Sequence, residues 1–132
     1  MAITPYLLYE DVAGALKFLT KAFGFRKDGP AMSGPDGKIF HAAMRLGEDV
    51  VMMGWPGPKY KNPKRLGHST QSLYVNVDDV DAHFKRAKKA GAKILEEPHD
   101  EFYGDRRYGA EDPEGHQWYF AQRIKKRAAK KS

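Results

Sequence analysis

Chemistry in this chain has to be done by oxygen and nitrogen side chains, because it holds five histidines and no cysteine. Thiolate metal sites, disulfides and cysteine nucleophiles are excluded. His41, His68, His83, His99 and His116 show no paired spacing, such as H-x-x-x-H, that would set two imidazoles on one helix face. His83 falls on the exposed side of a helical pattern, and His68 and His99 fall in loops. His116 belongs to a turn, where bonding to backbone is its ordinary role. His41 alone lies within a strand pattern. Ser33, Ser69 and Ser72 lack the setting of an activated nucleophile. Ser33-Gly34-Pro35-Asp36-Gly37 has no lysine and reads as a turn, not a phosphate loop. Asp78, Asp79 and Asp81 stand at a helix start, where capping explains them. Glu96, Glu97, Asp100 and Glu101 read as a solvated acidic loop.

The elements around these residues come as a repeat. Leu8-Tyr9-Glu10-Asp11-Val12 can be set against Asn76-Val77-Asp78-Asp79-Val80, an offset of 68 from Asp11 to Asp79. Each is a strand end, an aspartate cap and the start of a helix. Val12, Leu16, Leu19 and Phe23 recur at helical spacing, as do Val80, Phe84 and Ala87. Gly24 and Gly91 mark the helix ends. Strand patterns flank each helix: Ile3–Tyr9, then Phe25–Asp28, Lys38–Leu46 and Asp49–Trp55 in the first half. Gln71–Val77, then Ala92–Glu97, Arg106–Glu111 and His116–Gln122 make the second. Tyr103-Gly104-Asp105 and Asp112-Pro113-Glu114-Gly115 are turns. Met32, Met44, Met52 and Met53 read as adaptable core filler.

The fold class is therefore α+β: two βαβββ modules, about 3–55 and 71–122, forming a curved, half-closed mixed sheet with helices outside. Edge-to-edge pairing protects strands that a lone module would leave open. The concave side is a natural ligand pocket. The segment 56–70, rich in Pro, Gly and Lys, reads as a linker or mobile loop.

The net charge of +6 is local. Arg123, Lys125, Lys126, Arg127, Lys130 and Lys131 lie in the tail 123–132, and without them 17 cations face 17 acids. The tail reads as a solvated end, with nucleic-acid contact ranked far behind. No apolar run approaches the ~20 residues that span a bilayer, and no charged-then-apolar leader opens the chain. The expectation is a cytoplasmic protein with no membrane partner.

The order above resembles the glyoxalase/bleomycin-resistance/extradiol dioxygenase (vicinal oxygen chelate) superfamily, and in particular its uncharacterised bacterial glyoxalase-like branch. The most specific residues are Phe102-Tyr103-Gly104-Asp105-Arg106, then Glu111-Asp112-Pro113-Glu114-Gly115-His116 and Trp118. The resemblance covers about residues 3–122. It implies four metal ligands of His, Gln or Glu type, one on each of four strands. Carried onto this chain, those positions fall on Thr4, Met53 (Gly54 if the register slips), Ser72 and Tyr119. That set does not suit Zn, Ni or Fe, so no metal and no cofactor is expected. Strand alternation from those positions then lines the pocket with Tyr6, Val51, Trp55, Tyr74 and Gln117, and His41, Arg107 and Tyr119 join them. Such a lining stacks flat or cationic ligands. The resemblance also implies a homodimer in which modules of two chains complete one pocket. Three functions follow, in order: a binder of a small aromatic or cationic molecule; an enzyme of lyase, isomerase or dioxygenase type led by His41, Tyr119 or Arg107; and a nucleic-acid accessory acting through the tail.

Overall fold

In a computed structural model, which describes residues 1–124, Asp11 and Asp79 do what their spacing predicts. The Asp11 side chain accepts from the Gly14 amide and opens helix α1 (Val12–Phe23), just after strand β1 (Tyr6–Leu8). Asp79 accepts from Ala82 N and opens the equivalent long helix (Val80–Lys89). Between them run β2 (Arg26–Lys27), β3 (Met32–Ser33), β4 (Ile39–Leu46), β5 (Asp49–Gly54), a short helix α2 (Pro63–Leu66) and β6 (Ser72–Asn76). The long second helix, α3, leads into β7 (Lys93–Asp100), β8 (Asp105–Glu111) and β9 (Gln117–Arg123).

The strands form two sheets with the same internal order. The first runs β1-β5-β4-β2, with β3 also on β4; the second runs β6-β9-β8-β7. In each, the first strand lies parallel to the last, and the other pairings are antiparallel. Neither closes into a barrel. Among the described residues no ladder joins β1 to β6; the two edges flank a cleft.

Helices α1 and α3 touch each other and cover one face of the sheets. The core lies under them, around Leu19, Phe23, Met44, Met53, Tyr108, Trp118 and Phe120. Phe23 joins the halves, with its ring centroid 5.6 Å from that of Trp118 and 4.7 Å from that of Phe120. The opposite face of each sheet is left open: Tyr6, Leu8 and Tyr74 are exposed there.

Several expectations are corrected. His83 is half-buried, not on the free side of its helix. Its Nδ1 accepts from the Tyr108 hydroxyl, and its Nε2 donates to Phe23 O at 2.8 Å. Residues 56–70 carry α2, capped by Asn62, whose side chain accepts from Arg65 N, and held down by neighbours. Tyr60 donates to Leu8 O at 2.8 Å, Asn62 N to Glu10 Oε2 at 3.0 Å, and Lys64 N to Glu114 O at 3.0 Å. The supposed acidic loop is mostly strand β7. It runs through Pro98 because it is an edge strand, where one missing amide breaks no ladder. Arg123 ends β9 and pairs with Asp105 at 3.1 Å, so the tail begins later than 123. The other tail cations, Lys125 to Lys131, lie outside the described residues. Among the described residues, no helix is long and apolar enough to cross a membrane.

Candidate functional site

The open faces carry the polar and aromatic groups that the core excludes. On the first sheet, ladder register puts Tyr6, Met52 and Ala43 in one row and Leu8, Gly54 and His41 in the next. Tyr6 Oη and His41 Nδ1 lie 2.9 Å apart, and their rings are tilted at 34°. Tyr6 can lie across the sheet because residue 54 is glycine: a Cβ there would strike the Tyr6 ring.

The second sheet repeats the design with other chemistry. Tyr74, Tyr119 and Gly109 form one row, with Ala121 and Arg107 beside it. A Cβ on Gly109 would come within 2.6 Å of Tyr119. Tyr74 is Tyr6 shifted by the 68-residue repeat, and Arg107 occupies the register position of His41. Each face thus offers a phenol on its first strand and a nitrogen side chain, an imidazole or a guanidinium, on the third strand in sheet order.

Around Arg107 the second face is densely polar. Its guanidinium lies over the Tyr119 ring, 5.1 Å from the centroid. It pairs with Glu101 at 3.1 Å and Glu96 at 3.4 Å, and Nη1 reaches Tyr103 Oη at 3.5 Å. Glu96 Oε1, facing Nη2, and Arg107 Nε, facing Glu101 Oε1, are buried atoms without an aligned hydrogen bond, so both contacts are electrostatic. Burial alone would lower the Arg107 pKa; Glu96, Tyr103 and Glu101 outweigh it and hold the pKa up. Tyr74 donates to Asp105 Oδ2 at 2.6 Å and lies 3.3 Å from Tyr103 Oη. Burial, then Asp105, pushes the Tyr74 pKa up, so it stays a neutral donor. His99 bonds Glu97 O through Nδ1 and Glu101 through Nε2, and these two contacts, in that order, raise its pKa.

The eight residues expected in one pocket fall into separate groups. Tyr6 with His41, and Tyr74 with Arg107 and Tyr119, are brought together pairwise on two faces. Among the described residues no hydrogen bond, ion pair or ring contact joins the two groups. Gln117 lies on the second open face, opposite Ser72 at the cleft. Trp55 continues the buried side of β5, with Val51 and Met53, and Lys38 Nζ sits 3.7 Å from its ring centroid. Val51 is core, not pocket. The run Val50-Val51-Met52-Met53 is apolar throughout, so alternation could not tell which side faced out; the Tyr6–Met52 register decides it. Tyr103, Glu96, His99, Glu101 and Asp105 were missed, because a turn reading and an acidic-loop reading hid them. Arg106 pairs with Asp81 and Asp100 at the sheet edge, while Arg107 lies on the open face.

The positions that would hold a metal do not fit one. Thr4 is exposed ahead of β1, Met53 is wholly buried on the helix side, and Ser72 and Tyr119 offer only hydroxyl groups. Neutral hydroxyls and an inward thioether do not make a site for Zn or Fe. Among the described residues, Glu96, His99 and Glu101 do gather donor atoms within 4.8 Å of one another. Arg107 already supplies the cation between those carboxylates.

Known proteins are similar to this chain in sequence or in fold. An uncharacterised protein of Mycobacterium bovis is 37% identical over 129 residues, 94% of this chain and 84% of its own. The crystal structure of TioX from Micromonospora sp. ML1 is 35% identical and covers 92% of this chain and 95% of its own, with a TM-score of 0.73. The fosfomycin resistance protein FosX of Listeria monocytogenes shares the fold at 13% identity and a TM-score of 0.68, covering 92% of each chain. Residues 3–120 match the model of the Glyoxalase/Bleomycin resistance protein/Dioxygenase superfamily, and with its repeated module and open sheet faces the chain belongs to that superfamily.

Proposed function

We propose that this protein binds a small, flat, cationic molecule without using a metal and does not transform it. The observation that carries this reading is the cluster of Tyr74, Tyr103 and Tyr119 on an open sheet face beside Asp105, Glu96 and Glu101. The exposed rings of Tyr74 and Tyr103 offer stacking area, and three carboxylates set against two guanidiniums, Arg107 and Arg123, favour a positive ligand. Arg107 neutralises part of that charge and lies over the Tyr119 ring. In the same reading two chains pair, so that the two unlike faces wall one pocket, and the protein works in the cytoplasm.

The test is titration with a planar cation such as acridine orange, in parallel with divalent ions, followed by calorimetry and thermal shift. The cation raises the melting temperature, and Tyr119→Ala weakens its binding about tenfold. Tight stoichiometric Zn, Ni or Fe with a large stabilisation overturns the reading. Sedimentation velocity reports the dimer.

One observation favours a second reading, a superfamily enzyme with an unusual site. The Tyr6–His41 pair sets a phenol against an imidazole on an open face, an arrangement suited to moving a proton. His41→Ala that leaves binding intact but abolishes turnover of a bound compound decides for it.

A further inference from the structure

A separate cleft lies at the seam of the two sheets, away from the Tyr74–Arg107 cluster. It runs between β1, the α2 segment and the start of β6, and holds about 500 Å³. That is within the usual range for a small-molecule site. Leu8, Leu66 and Leu73 give it apolar walls. Lys61, His68 and His116 also line it, and no Asp or Glu does. This is unlike the second open face, which carries Glu96, Glu101 and Asp105. The walls are held in place: Tyr60 Oη and His116 Nε2 both bond Leu8 O, at 2.8 and 2.7 Å. Burial, then Glu114 and Glu10, pushes the Tyr60 phenol up to about 12, so it remains a donor to that carbonyl at any ordinary pH.

From this lining we infer that the seam cleft is a binding site for a small amphipathic anion, an aryl or alkyl carboxylate whose apolar body lies on the leucines and whose carboxylate meets Lys61. The reason is charge complementarity in a confined space. An ammonium head finds no carboxylate in the lining and meets the Lys61 ammonium instead. A carboxylate gains a cationic partner at Lys61. The inference does not depend on the cationic ligand proposed above, since it uses different residues and the opposite charge.

The full chain is titrated with two probes that share one apolar body, 1-naphthoate and 1-naphthylmethylammonium, using calorimetry and amide chemical-shift mapping. Naphthoate is expected to bind one per cleft, with shifts at Leu66, Ser72 and Leu73. Lys61→Glu, at an exposed position, weakens it by at least about tenfold, and Lys61→Met by less. Tyr119→Ala leaves naphthoate binding unchanged while weakening a planar cation on the open face. The proposal is overturned if naphthoate fails to bind, if the ammonium probe binds the cleft equally well, or if Lys61→Glu has no effect. Shifts confined to Tyr74, Arg107 and Tyr119 also overturn it. Failure of acridine orange to bind overturns only the earlier reading.

Discussion

At the scale of single residues, the buried polar contacts set measurable expectations. His83 is held neutral: burial lowers its pKa, although its bond to Phe23 O works in the other direction. The unfolded imidazole, near 6.5, therefore takes up a proton more readily than the folded one. Stability from this group is intact above about pH 6.5 and falls as pH drops below it. His99 acts oppositely. Its raised pKa stabilises the fold below about 6.5 and the benefit is lost as pH rises, but its side chain is 44% exposed and solvent screens it. His83→Gln is expected to flatten the acid-side loss in a urea titration run from pH 7 to 5. His83→Ala is expected to cost about 1–3 kcal/mol at pH 7, because it strands the Tyr108 hydroxyl and Phe23 O. Gly109→Ala forces the Tyr119 ring off the sheet, and the expected loss is about 1–3 kcal/mol together with weaker binding of the planar cation.

At the scale of elements, the turn between β8 and β9 braces both modules. Asp112 accepts from Tyr9 Oη at 2.6 Å, Trp118 Nε1 at 3.1 Å, and the Glu114 and His116 amides at 3.0 Å each. Glu114 accepts from the Glu10 and Asp11 amides and from Asn62 Nδ2, so it ties the start of α1 to the α2 segment. Asp112→Ala strands several buried donors at once, and the expected cost is above about 3 kcal/mol in denaturant unfolding. Asp79→Ala removes only a helix cap and is expected to cost about 1 kcal/mol. A smaller effect for Asp112 than for Asp79 would show that the brace does not link the halves. The turn chemistry of Asp112-Pro113-Glu114-Gly115 was legible in the sequence. Its partners Tyr9, Glu10 and Asn62, some 50 to 100 residues away, were not, because hydrogen bonding at that separation leaves no local pattern.

At the scale of the whole molecule, charge and open surface decide what the protein meets. Five cations, Lys125, Lys126, Arg127, Lys130 and Lys131, lie beyond residue 124, and deleting residues 125–132 lowers the net charge from +6 to +1. Retention on a heparin column is expected to fall sharply with that deletion, while binding of naphthoate and of the planar cation stays the same. Retention that survives the deletion would relocate polyanion affinity to the folded part. The large apolar side chains at the surface include Tyr6, Leu8, Met32 and Phe40 on the first sheet, and Tyr74, Phe102 and Tyr103 on the second and its β7–β8 turn. Those on the open faces, Tyr6, Leu8 and Tyr74, suit a contact surface, in line with the dimer proposed above.

Sequence alone determined the repeat of 68, the two aspartate caps, the helical stripes and the βαβββ order, because each depends on neighbours within a few residues. It also excluded thiolate chemistry, since the chain holds no cysteine. Tertiary structure decided which side of each strand is open. Val51, Met53 and Trp55 turned to the helix side, while Tyr6 met His41 across 35 residues. It drew β7 through Pro98 as an edge strand, which brought Glu96 and Glu101 onto Arg107. Among the described residues it left β1 and β6 unjoined by a ladder, so that a cleft stands at the seam of the two modules. The physical reason is common to all of these: an apolar strand carries no mark of its own register, and register fixes which groups meet.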